Sequence, residues 1–203
     1  MRLLLSLVFL AFIFTGSPAR AEADRYEFDK SHTNLLFFVS HIGFSKMVGE
    51  FRDYSGYFTF DQEHPENSSV EVTLHPAGIE TDSDGLNAHL QKEEFFNTEK
   101  YPDITFKSTA IKVTGANTGD ITGDLTLLGV TKPVTLHVTF NKAGQHPATK
   151  NYVAGFSASA QIKRSEWGMT TYAPDIVGDD VTLMFEVEGI NIAKNFEKAP
   201  AKN

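Results

Sequence analysis

The sequence contains no cysteine among its 203 residues. Such a chain forms no disulfide bond and carries no thiol for an N-terminal lipid anchor. Its stability must therefore come from a buried core. Residues 22–203 are enough for a single domain with a core of that kind.

Long apolar segments are also missing, because no stretch after residue 21 approaches the ~18 residues of a membrane-spanning helix. At the N-terminus, Arg2, an apolar run over residues 3–14 and the triplet Ala19-Arg20-Ala21 predict a signal peptide over residues 1–21. We therefore expect cleavage before Glu22, export to the periplasm and no stable membrane insertion. Residues 193–203 are rich in Lys, Ala and Asn, and we expect a disordered tail there.

Basic residues are scarce, with 18 Lys and Arg against 26 Asp and Glu and a formal net charge of −8. Arg2 and Arg20 would be lost with the signal peptide, which leaves a still more acidic mature chain. No polybasic run is present. Nucleic acid and anionic membrane surfaces are therefore not expected as partners.

Sequence motifs of catalysis are missing too. There is no G-x-G-x-x-G, no phosphate-binding loop and no H-E-x-x-H, and residues 155–159 lack the second glycine of a nucleophile elbow. We therefore predict a protein that is not an enzyme and has no cofactor. The histidines show no short ligand spacing, so no metal site is predicted, although one assembled from distant strands stays open. They are His32, His41, His64, His75, His89, His137 and His146.

Phenylalanine, in contrast, is abundant, with 17 residues in the chain, many of them at alternating positions. From Leu35 to Phe51 the odd positions are apolar or small, apart from His41, while the even positions turn polar towards Arg52, a period-two pattern that predicts a β-strand. The segment exceeds the usual limit of roughly 10 residues for one strand. We therefore expect a single curling ribbon with bends at Gly43 and Gly49.

Period-two alternation recurs in seven further segments, and their short connections favour antiparallel pairing. A short helix begins at Ser83 or Asp84, with Leu86, His89 and Leu90 on one face. We predict an all-β fold, an eight-stranded antiparallel β-barrel whose open end is covered by the helical insert. The further strands lie at residues 56–60, 70–74, 104–110, 121–127, 134–140, 152–164 and 181–187.

Small residues occupy inward positions of two predicted strands, at Ala154, Ala158 and Ala160 and at Gly43, Ser45 and Gly49. One interpretation is a ligand cavity, which an eight-stranded barrel can enclose. The other is that these positions make room for large Phe rings across the barrel. The sequence leaves both open.

Three polar residues lie at positions where polarity is costly, namely His41, His89 and Arg164, the last close to Trp167. Each can be structural, as a hydrogen-bonded core histidine or as an arginine paired with a carboxylate such as Asp175. Each can also contact the polar head of a ligand held in an apolar tunnel.

The motifs in these segments resemble the YceI-like family of exported, lipocalin-like proteins over nearly the whole mature chain. The N-terminal blocks have the family's H-x-G-x-S and G-x-F…G-x-x-x-F-D patterns, and a central block contains His89-Leu90. Where many members have R-D-x-H-L, this chain has Leu86-Asn87-Ala88-His89-Leu90, which lacks an Arg and an Asp. The matching blocks are residues 37–45, 49–51, 56–61, 79–81, 95–97, 101–108, 121–134 and, as in a common subgroup, 164–169.

This resemblance implies an elongated barrel over residues 22–192 that encloses a long apolar cavity. It further implies a periplasmic binding or carrier protein for a long-chain isoprenoid lipid, of the polyprenyl or quinone type, or another long-chain amphiphile. The changed helical motif favours a less anionic head group. The residues predicted to contact the ligand are Phe37, Val39, His41, Met47, Phe51, Phe58, His89, Phe106, Phe156, Ala158, Ala160, Arg164 and Trp167.

Two other functions stay open at this point. One is a stress-response protein that acts as the partner of a membrane electron-transfer complex. The other is a lipid head-group hydrolase acting through His41 or His89, although no base is paired with a nucleophile. The oligomeric state is also open, with a homodimer as one option.

Overall fold

The computed structural model describes residues 23–196, which form one closed, antiparallel β-sheet with two short helices, α1 at Asp84–Leu90 and α2 at Ile192–Phe196. Neither of these two helices is long and apolar enough to cross a membrane. The strands are β1 Asp24–Phe28, β2 Asn34–His41, β3 Ser45–Phe51, β4 Tyr54–Phe60, β5 Ser69–Leu74, β6 Ile79–Glu80, β7 Ile104–Val113, β8 Thr118–Leu127, β9 Val130–Gln145, β10 Tyr152–Lys163 and β11 Val177–Asn191.

Three pairs of consecutive strands act as single interrupted ribbons, namely β1 with β2, β3 with β4 and β5 with β6. Each ribbon is hydrogen-bonded to the next one along the chain. The last strand, β11, closes the circle, because residues 177–186 pair with β2 and residues 189–191 pair with β1. The predicted eight-stranded antiparallel barrel is therefore confirmed.

The barrel is elongated, since β9 alone has 16 residues and a strand rises about 3.3 Å per residue. Alternate loops lie at the same end of such an up-and-down barrel. Residues 61–68, 114–117 and 146–151 lie at one end, which we call the open end. Residues 42–44, 81–103, 128–129 and 164–176 lie at the other, which we call the capped end because it carries α1.

The predicted curling ribbon at residues 35–51 is wrong, because this segment is a tight hairpin. Strands β2 and β3 pair with each other, from His41 opposite Ser45 to Leu36 opposite Glu50. The turn between them has positive φ at Ile42 (51°) and Gly43 (72°). Odd-numbered residues of β2 pair with odd-numbered residues of β3, so the odd-numbered side chains of both strands point to the same face of the sheet. The period-two pattern in the sequence therefore shows no interruption at the turn, although the chain reverses its direction there.

Strand β7 contains a second departure from the predicted pattern. Its register with β8 shifts between Ser108 and Ala110. Such a bulge adds one residue and exchanges the two faces of the strand. Ile104 and Phe106 face the interior before the bulge, and beyond it Ile111 and Val113 line the interior while Ala110 is exposed.

The predicted boundaries of several segments also need correction. Strand β9 continues to Gln145, although the polar residues 141–151 predict a loop. Strand β1 was not predicted at all. Helix α2 occupies the start of the predicted tail, where Lys194 forms an ion pair with Asp24. The rest of that tail and the predicted signal peptide lie outside the described residues.

Glycines at three wall positions lie directly beneath phenylalanine rings. A Cβ added at Gly49 would lie 2.2 Å from the Phe37 ring, and one at Gly189 would lie 2.3 Å from the Phe58 ring. At Gly123 it would lie 2.4 Å from the Phe106 ring and 2.6 Å from the backbone oxygen of Lys107. The rings therefore lie against the barrel wall, in space that only glycine leaves free.

We predict that Gly123→Ala lowers the free energy of unfolding by about 1–3 kcal/mol, the usual cost of overpacking. The added methyl group meets a backbone oxygen as well as a ring, and the backbone oxygen cannot move without disturbing the β7–β8 pairing. Urea denaturation measures the change. Gly85→Ala is the control, because a Cβ added at Gly85 in α1 meets no atom beyond its own stretch of helix within 4 Å, and alanine favours a helix by about 0.5–1 kcal/mol. Equal losses in the two variants would contradict the close approach at Gly123.

Candidate functional site

A cavity of about 530 Å³ occupies the barrel interior and extends from the capped end to the open end. Its wall is almost wholly apolar, with side chains from every ribbon of the barrel. This volume falls within the range of about 300–1,000 Å³ that is typical of ligand sites. Among the wall residues are Phe28, Leu35, Val70, Val72, Leu74, Ile121, Leu125, Val134, Leu136, Val138, Phe140, Ile162, Leu183, Phe185 and Val187.

The cavity is closed at the capped end. Phe95 and Phe96, which follow α1, line it together with Met169 from the β10–β11 connection, and each is less than 9% exposed. The aromatic rings interlock there, since Phe96 packs edge-on against Phe51 with ring centroids 5.7 Å apart. Over residues 23–196, none of the cavity-lining side chains at this end is exposed.

The open end is different, because exposed residues line the cavity there. They belong to the β4–β5 loop, which includes Gln62, and to the β7–β8 turn, which includes Asn117, with Thr118 following at the start of β8. Val113, next to this turn, is 48% exposed. The polar wall residues of this end are uncharged: Thr59, Gln62, Ser68, Ser69, Asn117 and Thr118. The cavity thus has one mouth, rimmed by neutral hydrogen-bonding groups.

The structure places eight of the predicted ligand-contact residues on the cavity wall and five elsewhere. Those on the wall are Phe37, Val39, Phe51, Phe58, Phe106, Phe156, Ala158 and Arg164. Those away from it are His41, Met47, His89, Ala160 and Trp167. Contact with a ligand remains a prediction for the first group and is not proposed for the second.

The two histidines lie outside the cavity for different reasons. His41 is exposed because it borders the β2–β3 turn, beyond the end of the cavity. The Nε2 atom of His89 lies 3.1 Å from a carboxylate oxygen of Glu94, and its ring packs edge-on against Phe95. These imidazoles therefore do not face the space that a lipid head group would occupy.

The other three residues are packed against the barrel or its rim. Ala160 is 5% exposed and belongs to the packed core, so this position serves packing and not the cavity. Trp167 is 3% exposed, and its indole Nε1 donates a hydrogen bond to the Leu125 carbonyl at 3.2 Å. Met47 is half-buried on β3 opposite Val39, near the protruding hairpin turn.

Arg164 reaches the cavity wall, but its hydrogen bonds are directed into the protein. It is 3% exposed, and its guanidinium donates to four backbone carbonyls at 2.8–3.1 Å. These bonds use four of its five N–H groups. Burial lowers the pKa of Arg164 from its ordinary value. The acceptors are the carbonyl oxygens of Met169, Thr171, Val177 and Gly178.

A carboxylate reinforces this arrangement from the outside. Asp179 accepts hydrogen bonds from the backbone N–H and the hydroxyl of Ser165, at 2.9 and 2.8 Å. Burial opposes ionisation of Asp179, but the bonds from Ser165 outweigh it and lower the pKa of the carboxyl group. The hydrogen bonds of Arg164 and Ser165 thus hold the β10–β11 connection in place over the capped end. Asp175, which the sequence suggested as an ion-pair partner of Arg164, is exposed.

Sequence reasoning missed the mouth residues Gln62, Asn117 and Thr118, because it recognised both turns only as connections. Consecutive antiparallel hairpins place alternate loops at one end, and that rule would have brought the two turns together. It also missed Ile111 and Val113, which face inward only because of the bulge in β7.

A closed eight-stranded barrel around a single-mouthed apolar cavity defines the class of hollow β-barrels that can hold one small ligand. Within this class, the chain belongs to the YceI-like family, because the family's YceI-like domain matches residues 26–189. The chain is 38% identical over 186 residues to a UPF0312 protein of Ectopseudomonas mendocina, covering 89% of this chain and 96% of that relative. It is 37% identical over 187 residues to Protein YceI of Escherichia coli, covering 92% and 96% of the two chains.

Solved structures show the same fold. The crystal structure of Burkholderia cenocepacia BcnA has a TM-score of 0.73 and 25% identity, covering 79% of this chain and 98% of its own. The Campylobacter jejuni YCEI protein has a TM-score of 0.66 and 32% identity, covering 70% and 84%. A polyisoprenoid binding domain from Saccharophagus degradans, with a TM-score of 0.61 and 14% identity over 82% of this chain and 98% of its own, shares the fold.

We predict that Arg164→Met lowers the free energy of unfolding by about 3 kcal/mol or more, because it leaves several backbone carbonyls without a donor. Arg164→Lys is expected to recover only part of this loss, since an ammonium group cannot reproduce the planar fork of the guanidinium. Urea denaturation provides the measurement.

The control is Lys163→Met, the neighbouring residue, whose ion pair with Asp180 is exposed. We expect a change within about 1 kcal/mol for this variant, as for surface ion pairs in general. If Arg164→Met were as stable as Lys163→Met, the structural role of the Arg164 hydrogen bonds would be refuted.

Proposed function

We propose that the chain is a non-catalytic carrier of a long-chain isoprenoid lipid, exported to the periplasm, which holds the lipid tail in the barrel and the head at the mouth. The observation that carries this proposal is the apolar, single-mouthed cavity of about 530 Å³. Each Å² of hydrocarbon moved from water into such a cavity contributes roughly 25 cal/mol. An apolar tail therefore supplies the main binding energy.

Export is supported by the N-terminal sequence. Arg2, the apolar run at residues 3–14 and the small residues Ala19 and Ala21 form the pattern of a secretory signal peptide. Absence of cysteine suits a barrel that derives its stability from packing in an oxidising compartment.

The chemistry of the mouth favours a head group without net negative charge. Gln62, Asn117 and Thr118 offer neutral donors and acceptors, which suit the carbonyl oxygens of a quinone ring. The adjoining β4–β5 loop carries Asp61, Glu63 and Glu66, and these carboxylates disfavour a diphosphate. The changed helical motif at Leu86–Leu90 lies in α1 at the capped end, away from this mouth, so the preference proposed here rests on the mouth residues alone.

The direct test is to purify the protein from the periplasm of its native host and extract it with organic solvent. We expect mass spectrometry of the extract to show an isoprenoid lipid with a neutral head in a molar ratio near one. A diphosphate head would overturn the head-group assignment. An extract without any lipid, from protein that also fails to bind added quinone, would overturn the carrier function.

A substitution in the cavity wall gives a second test. We predict that Ala158→Phe weakens binding of a long-chain quinone by about tenfold or more, which corresponds to 1.4 kcal/mol, because the ring occupies cavity volume. Ala158 lies on the wall beside open space, so stability should change little. Fluorescence titration measures binding, and urea denaturation measures stability.

Ala160→Phe is the matched comparison two residues along the same face of β10. Ala160 is buried in the packed core, so the ring should lower stability by about 1–3 kcal/mol. Undiminished quinone binding by a folded Ala158→Phe variant would show that the tail does not occupy this cavity.

A further inference from the structure

Three metal-ligating side chains meet on the outer wall of the barrel, where the chain's first connection crosses its last strand. Asp29 and His32 lie between β1 and β2, and Glu188 lies on β11, more than 150 residues later. One ligand atom from each lies within 4.8 Å of the other two. The Asp29 and His32 side chains are 20% and 54% exposed, so an ion in solution can reach them.

The backbone holds these three residues together independently of any ion. The Asp29 N–H donates to the Glu188 carbonyl at 2.8 Å, and the Thr33 hydroxyl and the Glu188 backbone are hydrogen-bonded at 3.2 Å. One Asp29 carboxylate oxygen accepts the Ser31 N–H at 2.9 Å, and the other lies 2.9 Å from Nδ1 of His32. These bonds hold the Asp29 and Glu188 backbones side by side and orient the Asp29 carboxylate next to the His32 ring.

A groove of about 260 Å³ lies beside this cluster. His32, Glu188, Gly155 and His146 are among the residues that line it, and the ring centroids of His146 and His32 are 6.5 Å apart. Nδ1 of His146 accepts the backbone N–H groups of residues 148 and 149, so its Nε2 carries the hydrogen. His146 therefore offers a hydrogen-bond donor to a small ligand in the groove.

We propose that Asp29, His32 and Glu188 bind one divalent transition-metal ion, with Zn²⁺ as the best match, and that the groove gives access to its remaining coordination positions. One imidazole and two carboxylates form a ligand set that suits Zn²⁺. The two carboxylates also neutralise the charge of the ion. Bound metal would join the first connection to the last strand and so stabilise the closure of the barrel by mass action.

Other histidine–carboxylate pairs of the chain show what distinguishes this cluster. His64 follows Asp61 at the same spacing, and Asp61 likewise accepts backbone N–H groups. His75 with Asp103 and His137 with Asp120 form similar pairs at 2.8 Å. Over residues 23–196, only the His32 cluster brings in a third ligating side chain.

Isothermal titration of ZnCl₂ into metal-free protein tests the proposal. The mature chain is used without a histidine tag, in a buffer that does not bind metal, and thermal unfolding is followed in parallel. We expect one Zn²⁺ per chain and an increase in Tm with metal concentration. Glu188→Gln and His32→Gln should weaken binding at least as much as the roughly 10–100-fold loss seen when an outer-shell partner of a metal ligand is removed.

Glu188→Gln is the sharper variant, because it leaves the Asp29–His32 pair and the backbone contacts in place. His64→Gln is the matched control, and we expect it to bind Zn²⁺ as the unmodified chain does. Absence of stoichiometric binding would overturn the proposal. It would also be overturned if Glu188→Gln and His64→Gln gave equal affinities, since that would indicate unspecific binding to surface histidines.

Discussion

The cavity exists because large inward side chains lie against the wall instead of filling the barrel. An eight-stranded barrel is only just wide enough for its own side chains to fill, and this chain points many Phe residues inward. The Phe rings leave the barrel centre open because Gly49, Gly123 and Gly189 have no side chain, and a Phe ring lies in the space above each of them. The width of the cavity therefore depends on residues that do not line it with side chains of their own.

The small inward residues follow neither interpretation throughout. Gly49 leaves space for the Phe37 ring of the directly paired strand and not for a ring across the barrel, whereas Ala158 lies on the cavity wall. Ala160 belongs to the packed core. Composition and period cannot separate these outcomes, because they depend on which ring lies on the neighbouring strand.

Much of the fold could be predicted from period two alone, since the inward residues of β5, β8 and β11 have the predicted parity. The hairpin at Ile42 and Gly43 could not be predicted, because its register keeps the odd-numbered residues of both strands on one face. The bulge at Ser108 could not be predicted either. One extra residue exchanges the inward and outward positions of the strand, and no glycine or proline marks the place. Arg164 was recognised as unusual, but four acceptors on the chain's own backbone are visible only in three dimensions.

The outer cluster illustrates the same limit. The absence of short His spacing correctly describes the sequence, yet Asp29 and His32 meet Glu188 because the barrel closes on itself. Any site at this seam joins residues from opposite ends of the chain. Local motifs cannot reveal it.

The single mouth has a kinetic consequence for any amphiphile that uses this cavity. Since Phe95, Phe96 and Met169 close the far end, a molecule must enter tail first and leave head first, and displaced water must escape through the same opening. A molecule that enters the cavity and a molecule that leaves it must then use the same opening. For the carrier function proposed above, the surfaces that give up and receive the lipid would have to meet the same end of the barrel one after the other, and the lipid would not pass through the barrel from end to end.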